Sequence, residues 1–279
     1  MSQDLLVAEN VDVTFAPRRG LSSAVPASKV LQGVTVRVGR GETVGIVGES
    51  GSGKTTLGRA LLRLLDVTGG RITFEARDIT RLSEAEMRPL RRRMQLIFQD
   101  PMASLNPRHT IRRIVTEPML FHRVVANEAE AERSAQAIFE RFSLPLACLA
   151  RYPHELSGGQ RQRVGIARVA LLSPDFLLAD EIVSGLDVST QAQALNLLKA
   201  LSRDLGLSMA FISHDLSVVR AICNRVYVLR AGRIVEEGLC EDVFAAPKSA
   251  YTRALLDAIP LPRIDPGWLQ RNSVAEVLT

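Results

Sequence analysis

The chain has 279 residues, 46% of them hydrophobic, which is apolar matter enough for one large α/β domain or two small ones. Its 35 basic and 30 acidic residues leave a formal charge of +5, and with one Trp and three Tyr for base stacking the sequence predicts no nucleic-acid partner. No apolar run approaches the roughly 18 residues that cross a bilayer, the start MSQDLLVAENVD is acidic where a secretory signal is basic, and Cys148, Cys223 and Cys240 form no CxxC pair, so a cytoplasmic chain with reduced thiols is expected.

The β-rich run ETVGIV, residues 42–47, predicts a strand, and LGRALLRLL, residues 57–65, predicts a helix with Leu57, Leu61, Leu62, Leu64 and Leu65 on one face. Between them GESGSGKTT fits GxxxxGK[ST] through Gly48, Gly53, Lys54 and Thr55. Glycines let backbone N–H groups converge on a phosphate, and the helix start adds partial positive charge. All but four of the 35 basic residues are arginine, so a lysine in this loop stands out. Its slender ammonium reaches β and γ oxygens as a point charge, where a guanidinium fits poorly. The candidate nucleotide site is therefore Gly48, Glu49, Ser50, Gly51, Ser52, Gly53, Lys54, Thr55 and Thr56, with the Thr55 hydroxyl offered to Mg²⁺.

Further along, Arg88 and Arg91 to Arg93 predict a solvated helix face before the strand-like MQLIFQ, residues 94–99. A long, mostly helical stretch follows, to about residue 163. Within it EAEAERSAQAIFERFSL, residues 128–144, has an apolar face at Ala131, Ala135, Ile138, Phe139 and Phe142. LSGGQRQRVGIARVALLSP, residues 156–174, predicts a helix N-capped by Ser157 and closed by Ser173 and Pro174. FLLADEIVSGLD, residues 176–187, is an apolar run ending in clustered carboxylates. Phosphate-loop ATPases place a second apolar strand beside the first, ending in an Asp that holds Mg²⁺, and FLLAD supplies one with Asp180 at its tip. SMAFISH, residues 208–214, predicts another strand, and RVYVLRAGRIVEEG reads as two strands around Ala231 and Gly232.

LSGGQ about 20 residues before an apolar strand ending in Asp-Glu resembles the nucleotide-binding subunit of ABC transporters, and the likeness runs from about residue 5 to 260. It implies an α/β fold: a P-loop NTPase (RecA-like) core with a mixed sheet flanked by helices, plus an inserted helical subdomain. The ABC-type domain is expected over residues 1–258, its helical subdomain over about 100–163, and a C-terminal extension over 259–279.

By the same resemblance Gln99 matches the Q-loop, sensing the γ-phosphate and contributing to the Mg²⁺ site with Thr55 and Asp180. His214 matches the switch histidine, Ser184 to Asp187 the D-loop, and Phe15, in VDVTF, an aromatic platform for adenine. Glu181 would orient and polarise the attacking water. Two such domains would pair head to tail around two ATP molecules. The signature residues Ser157, Gly158, Gly159 and Gln160 would then face the γ-phosphate held by the other chain, with Asp187 at the turn that meets the partner.

FQDPMASLNPR and the tail FAAPKSAYTRALLDAIP, Phe244 to Pro260, resemble the ATPases of the oligopeptide, dipeptide and nickel importer group, with Ala250 where a Pro is usual and Ser249 where a His is common. The implied partners are two transmembrane permease subunits, a second ATP-binding subunit of the same or a related kind and, indirectly, an extracytoplasmic substrate-binding protein. The expected place is the cytoplasmic face of the inner membrane. A nickel importer remains an alternative within the group; a soluble ABC ATPase and an exporter half-transporter are alternatives outside it. Where the family commonly reads Asp-Glu-Pro-Thr-Ser-Ala-Leu-Asp, this chain has Ile182, Val183 and Gly185, which predicts altered coupling between two ATP sites with the chemistry intact.

Overall fold

The computed structural model describes residues 4–16, 18–19, 24–25, 27–98, 104–185 and 187–258. The chain begins with β1 (Asp4–Phe15), the two-residue pair β2 (Arg18–Arg19) and β3 (Ala24–Val25), β4 (Ser28–Gly39), and β5 (Thr43–Val47) followed by α1 (Lys54–Leu61). Next come β6 (Gly69–Phe74), β7 (Arg77–Asp78), α2 (Glu84–Arg91) and β8 (Met94–Ile97). Helices α3 (Ile111–Phe121), α4 (Glu128–Arg141) and α5 (Gly158–Ala170) precede β9 (Phe176–Asp180). The last third runs α6 (Val188–Leu205), β10 (Ser208–Ile212), α7 (Leu216–Ile222), β11 (Arg225–Arg230), β12 (Arg233–Leu239), α8 (Cys240–Ala245) and α9 (Ala250–Asp257).

Six strands form the central sheet in the order β12-β11-β5-β10-β9-β8, parallel except for β12, which returns antiparallel on β11. β5 and β10 are buried along their whole length and β9 along all but its last residue, which is why each reads as a continuous apolar run rather than an alternating one. Alternate residues still go to opposite faces. Phe176, Leu178, Ala210 and Ile212 join one apolar cluster with Val44, Ile46, Leu57 and Leu61, while Leu177, Ala179, Met209 and Phe211 join another with Phe139, Val164 and Leu198. The first face is covered by α1 and by a four-stranded antiparallel sheet, β4-β1-β6-β7; the second is covered by helices. The buried Tyr227 of β11 joins the two sheets: its hydroxyl accepts from the Arg37 N–H at 3.0 Å and lies 3.1 Å from the Arg37 carbonyl.

Three sequence expectations change here. The FLLAD strand does not lie beside the strand that leads into the glycine-rich loop, because β10 pairs with both, setting Ile212 opposite Ile46 on one side and Asp180 on the other. The helix after the loop is shorter than expected. It closes at Leu61, Arg63 takes a left-handed φ of 52°, and Leu64 points out with 51% of its surface exposed, while Leu57, Leu61 and Leu62 are buried. Of the arginine run, Arg88 is exposed on α2 as expected, whereas Arg91 to Arg93 do not form a solvated face. Arg91 donates to the carbonyls of Leu62 and Arg63, among those left open at the end of α1, and pairs with Glu84; Arg93 pairs with Glu75 and Asp175; Arg92 reaches the Leu172 carbonyl. Those carboxylates hold the Arg93 guanidinium well above its ordinary pKa, and Arg93 with Arg40 lowers the Glu75 carboxyl to about 2. The expected helix over residues 128–144 is α4, with Ala131, Ala135 and Phe139 buried.

Candidate functional site

The parallel strands β5, β9 and β10 end at one edge of the sheet, and the candidate residues follow those ends. After β5 the backbone turns through Gly48, Gly51 and Gly53 at φ of 150°, 79° and 108°. Gly48 admits no other residue, since a Cβ there would stand 2.1 Å from the Leu229 carbonyl oxygen. Gly53 precedes α1 and supplies no side-chain cap, and no acidic residue sits in the helix's first turn. The first backbone N–H groups of α1 therefore face the loop without a carboxylate competing for them.

The Lys54 ammonium folds back over the loop, donating to the carbonyls of Gly48 and Glu49 at 2.8 Å each. Burial pushes its pKa down, opposed by the charges of Glu181 and Asp180. The Thr55 hydroxyl meets Asp180 Oδ1 at 3.3 Å, and burial raises the Asp180 carboxyl while that hydrogen bond lowers it. Glu181 sits at a φ of 49°, its N–H held by the Ile212 carbonyl at 3.0 Å. This bend carries its carboxylate to within 3.6 Å of the His214 Nδ1, on a ring that is 60% exposed. A cavity of about 490 Å³ is lined by Ser50, Gly51, Gly53, Lys54, Thr55, Thr56 and Glu181, together with Val30 of β4.

The structure thus brings the loop, Asp180, Glu181 and His214 together from three segments. Others lie apart from that cavity. Phe15 ends β1 with 41% of its surface exposed, so it is not a core residue. Ser157 and Gln160 form a capping box at the start of α5: the Ser157 hydroxyl accepts from the Gln160 N–H and the Gln160 side chain accepts from the Ser157 N–H. Asp187 caps α6, accepting from the N–H and hydroxyl of Thr190, and a Cβ on Gly159 would stand 2.9 Å from that threonine's methyl, so the starts of α5 and α6 abut. Gln99 lies outside the described residues, as does the extension over 259–279. Sequence reasoning missed Val30 and Gly232, whose N–H holds the Ser52 carbonyl at 2.9 Å; their only signal is a contact between remote segments.

The ABC transporter family model matches residues 31–184. The chain belongs to the ABC transporter family. This ABC protein is 55% identical over 237 residues to a putative peptide import ATP-binding protein of Brucella ovis, covering 85% of this chain and 74% of that one. It is 45% identical to the oligopeptide transport ATP-binding protein AmiF of Streptococcus pneumoniae, over 99% of this chain and 87% of that one, and 44% identical to OppF of Escherichia coli, over 90% and 74%. Among solved structures it resembles the bacterial ABC transporter cassette MJ0796 bound to ADP and Pi in a dimeric post-hydrolysis state, with a TM-score of 0.75 and 29% identity over 84% of this chain and 98% of that one. It also resembles cbiO1 of Clostridium perfringens, with a TM-score of 0.75 and 27% identity over 88% and 92%. The protein is an ATPase of the oligopeptide importer group.

The residues fit a nucleotide with a divalent cation. Among the described residues no three His, Cys, Asp or Glu cluster to cage a metal, whereas Thr55 and Asp180 offer two oxygens side by side. That is the donor set expected where phosphate and water complete the shell of Mg²⁺. The hydroxyl of Ser52 is buried in the loop without a hydrogen-bond partner, a polar atom left to a ligand or a solvent molecule.

Proposed function

We propose that this ABC protein hydrolyses ATP at the interface of a head-to-tail pair of such chains and that the work drives peptide import through two transmembrane permease subunits fed by a substrate-binding protein. The reading is carried by the convergence of Lys54, the Thr55–Asp180 pair and the Glu181–His214 pair at one sheet edge, in a chain whose relatives are named for peptide import. No helix among the described residues is long and apolar enough to cross a membrane, which suits a subunit that docks on the cytoplasmic face.

Phosphoryl transfer needs positioning and charge neutralisation more than covalent chemistry. Lys54 turns its ammonium from the loop carbonyls to the β and γ oxygens. Thr55 and Asp180 hold Mg²⁺, which when bound neutralises phosphate charge. Glu181 orients the attacking water and accepts its proton, with His214 beside it to keep that carboxylate and the γ-phosphate in line. The N–H groups of Gly158 and Gly159, at the start of α5, serve the ATP of the facing chain; open space around Gly158 supports this, as does the capping box that occupies the side chains of Ser157 and Gln160. Asp187 shapes the turn beside them. Gln99 and Phe15 take the γ-phosphate-sensing and adenine-stacking roles that the family resemblance gives them.

Glu181→Gln tests the chemistry. The variant should keep ATP binding and lose turnover by about 100-fold or more, the usual contribution of a positioned base. Turnover within about threefold of the parent removes Glu181 from that role.

A further inference from the structure

The C-terminal helix reaches the nucleotide loop through one hydroxyl. Tyr251, in the first turn of α9, accepts a hydrogen bond from the Glu49 N–H at 3.0 Å. The N–H of Glu49 and the carbonyl of Gly48 belong to one peptide unit, and that carbonyl accepts from the Lys54 ammonium at 2.8 Å. A single peptide plane is thus held at both edges, by Lys54 on one side and by Tyr251 on the other. Gly48 sits at a φ of 150° and carries no side chain. Rotation of a peptide beside glycine costs little, so the orientation has to be selected by its hydrogen bonds.

Tyr251 is itself held. It is buried, and the Arg230 guanidinium lies over its ring at 4.9 Å. The turn before α9 is anchored by Glu236 of β12, whose two carboxylate oxygens accept from the N–H groups of Lys248 and Ser249 at 2.7 and 3.0 Å. The Ser249 hydroxyl then accepts from the Tyr251 N–H, starting the helix. This segment lies outside residues 31–184, where the family model matches.

We infer that Tyr251 is a positioning residue for ATP binding: from the C-terminal segment it fixes the Gly48–Glu49 peptide, and through it the Lys54 ammonium, in the arrangement that receives the phosphates. Without the hydroxyl the loop samples rotated peptides, and apparent affinity falls with the fraction of loops in the competent form. Once nucleotide is bound the loop is formed, so the chemical step keeps its rate. ATP and ADP lose affinity together, because both use the loop.

The test is Tyr251→Phe in the full chain, which removes one oxygen and keeps the ring under Arg230. Titration with Mg·ATP and with ADP, alongside steady-state ATPase, should give a Kd raised by about 3- to 10-fold for both nucleotides and a KM for ATP raised in step, the range one lost hydrogen bond spans, with kcat within about twofold. A Kd within twofold of the parent overturns the inference, as does a fall in kcat at unchanged Kd; a role confined to stability would lower the melting temperature of the nucleotide-free chain and leave Kd alone. The inference rests on residues 48–56 being the nucleotide site, and Lys54→Ala separates the two. Loss of ATP binding in Lys54→Ala with unchanged affinity in Tyr251→Phe overturns the role of Tyr251 alone, whereas retained binding in Lys54→Ala overturns the site along with it.

Discussion

Lys54 shows what a single residue contributes and why its neighbours constrain it. Its Nζ is packed between two carbonyls of its own loop, 2.8 Å from each, in a space that suits a tetrahedral ammonium and not a planar guanidinium. Lys54→Arg should therefore keep the charge and still weaken ATP binding by about 10- to 100-fold, equivalent to the ~1.5–3 kcal/mol of a hydrogen bond to a charged group; equilibrium titration measures it. Residues of this kind were legible in the sequence because their chemistry is local. The glycines, the lysine and the N-cap Ser157 lie within a few positions of the groups they serve. Tyr251 was not, because the peptide it holds lies 202 residues earlier in the chain. Arg91, Arg92 and Arg93 were misread for the same reason: nothing near them in sequence announces the Leu62 and Leu172 carbonyls or the Glu75 and Asp175 carboxylates that receive them.

At the scale of elements, the apolar runs predicted strands well because β5, β9 and β10 are buried on both faces, and the amphipathic pattern of α4 placed its apolar face correctly. The order of strands did not follow from the runs. Each run permits a neighbour on either edge, and only the pairing shows β10 between β5 and β9. The turn after β9 is the element where this chain departs from its family's usual wording. Ile182 and Val183 are buried there in the helical-side core, and Gly185 takes a φ of 75° with open space around its Cα. Gly185→Ala should accordingly destabilise the fold by about 1 kcal/mol through backbone conformation alone, without a clash. Denaturant unfolding checks this, and an unchanged midpoint would mean that the turn adopts another conformation. The two buried side chains tie this turn to the core beneath the α5 and α6 starts, so a coupling effect of the departure is expected to act through the packing of the turn while Asp180 and Glu181 stay in place.

The whole molecule puts Lys54, Asp180, Glu181 and His214 together beyond the C-terminal ends of the parallel strands β5, β9 and β10 and supports the loop from behind with a segment near the far end of the described chain. The helices between β8 and β9 pack into the same core as the strand that carries Asp180, since Ile97, Phe139, Val164 and Ala179 share one apolar cluster. That continuity offers the proposed coupling of hydrolysis to a membrane partner a physical route. The direct test is the ATPase rate of this chain assembled with the proposed permease subunits and binding protein in lipid vesicles, measured with oligopeptides and with Ni²⁺ in turn. Stimulation by peptides and none by Ni²⁺ is the predicted result; a rate indifferent to peptide, or one that rises with Ni²⁺ instead, would contradict the account.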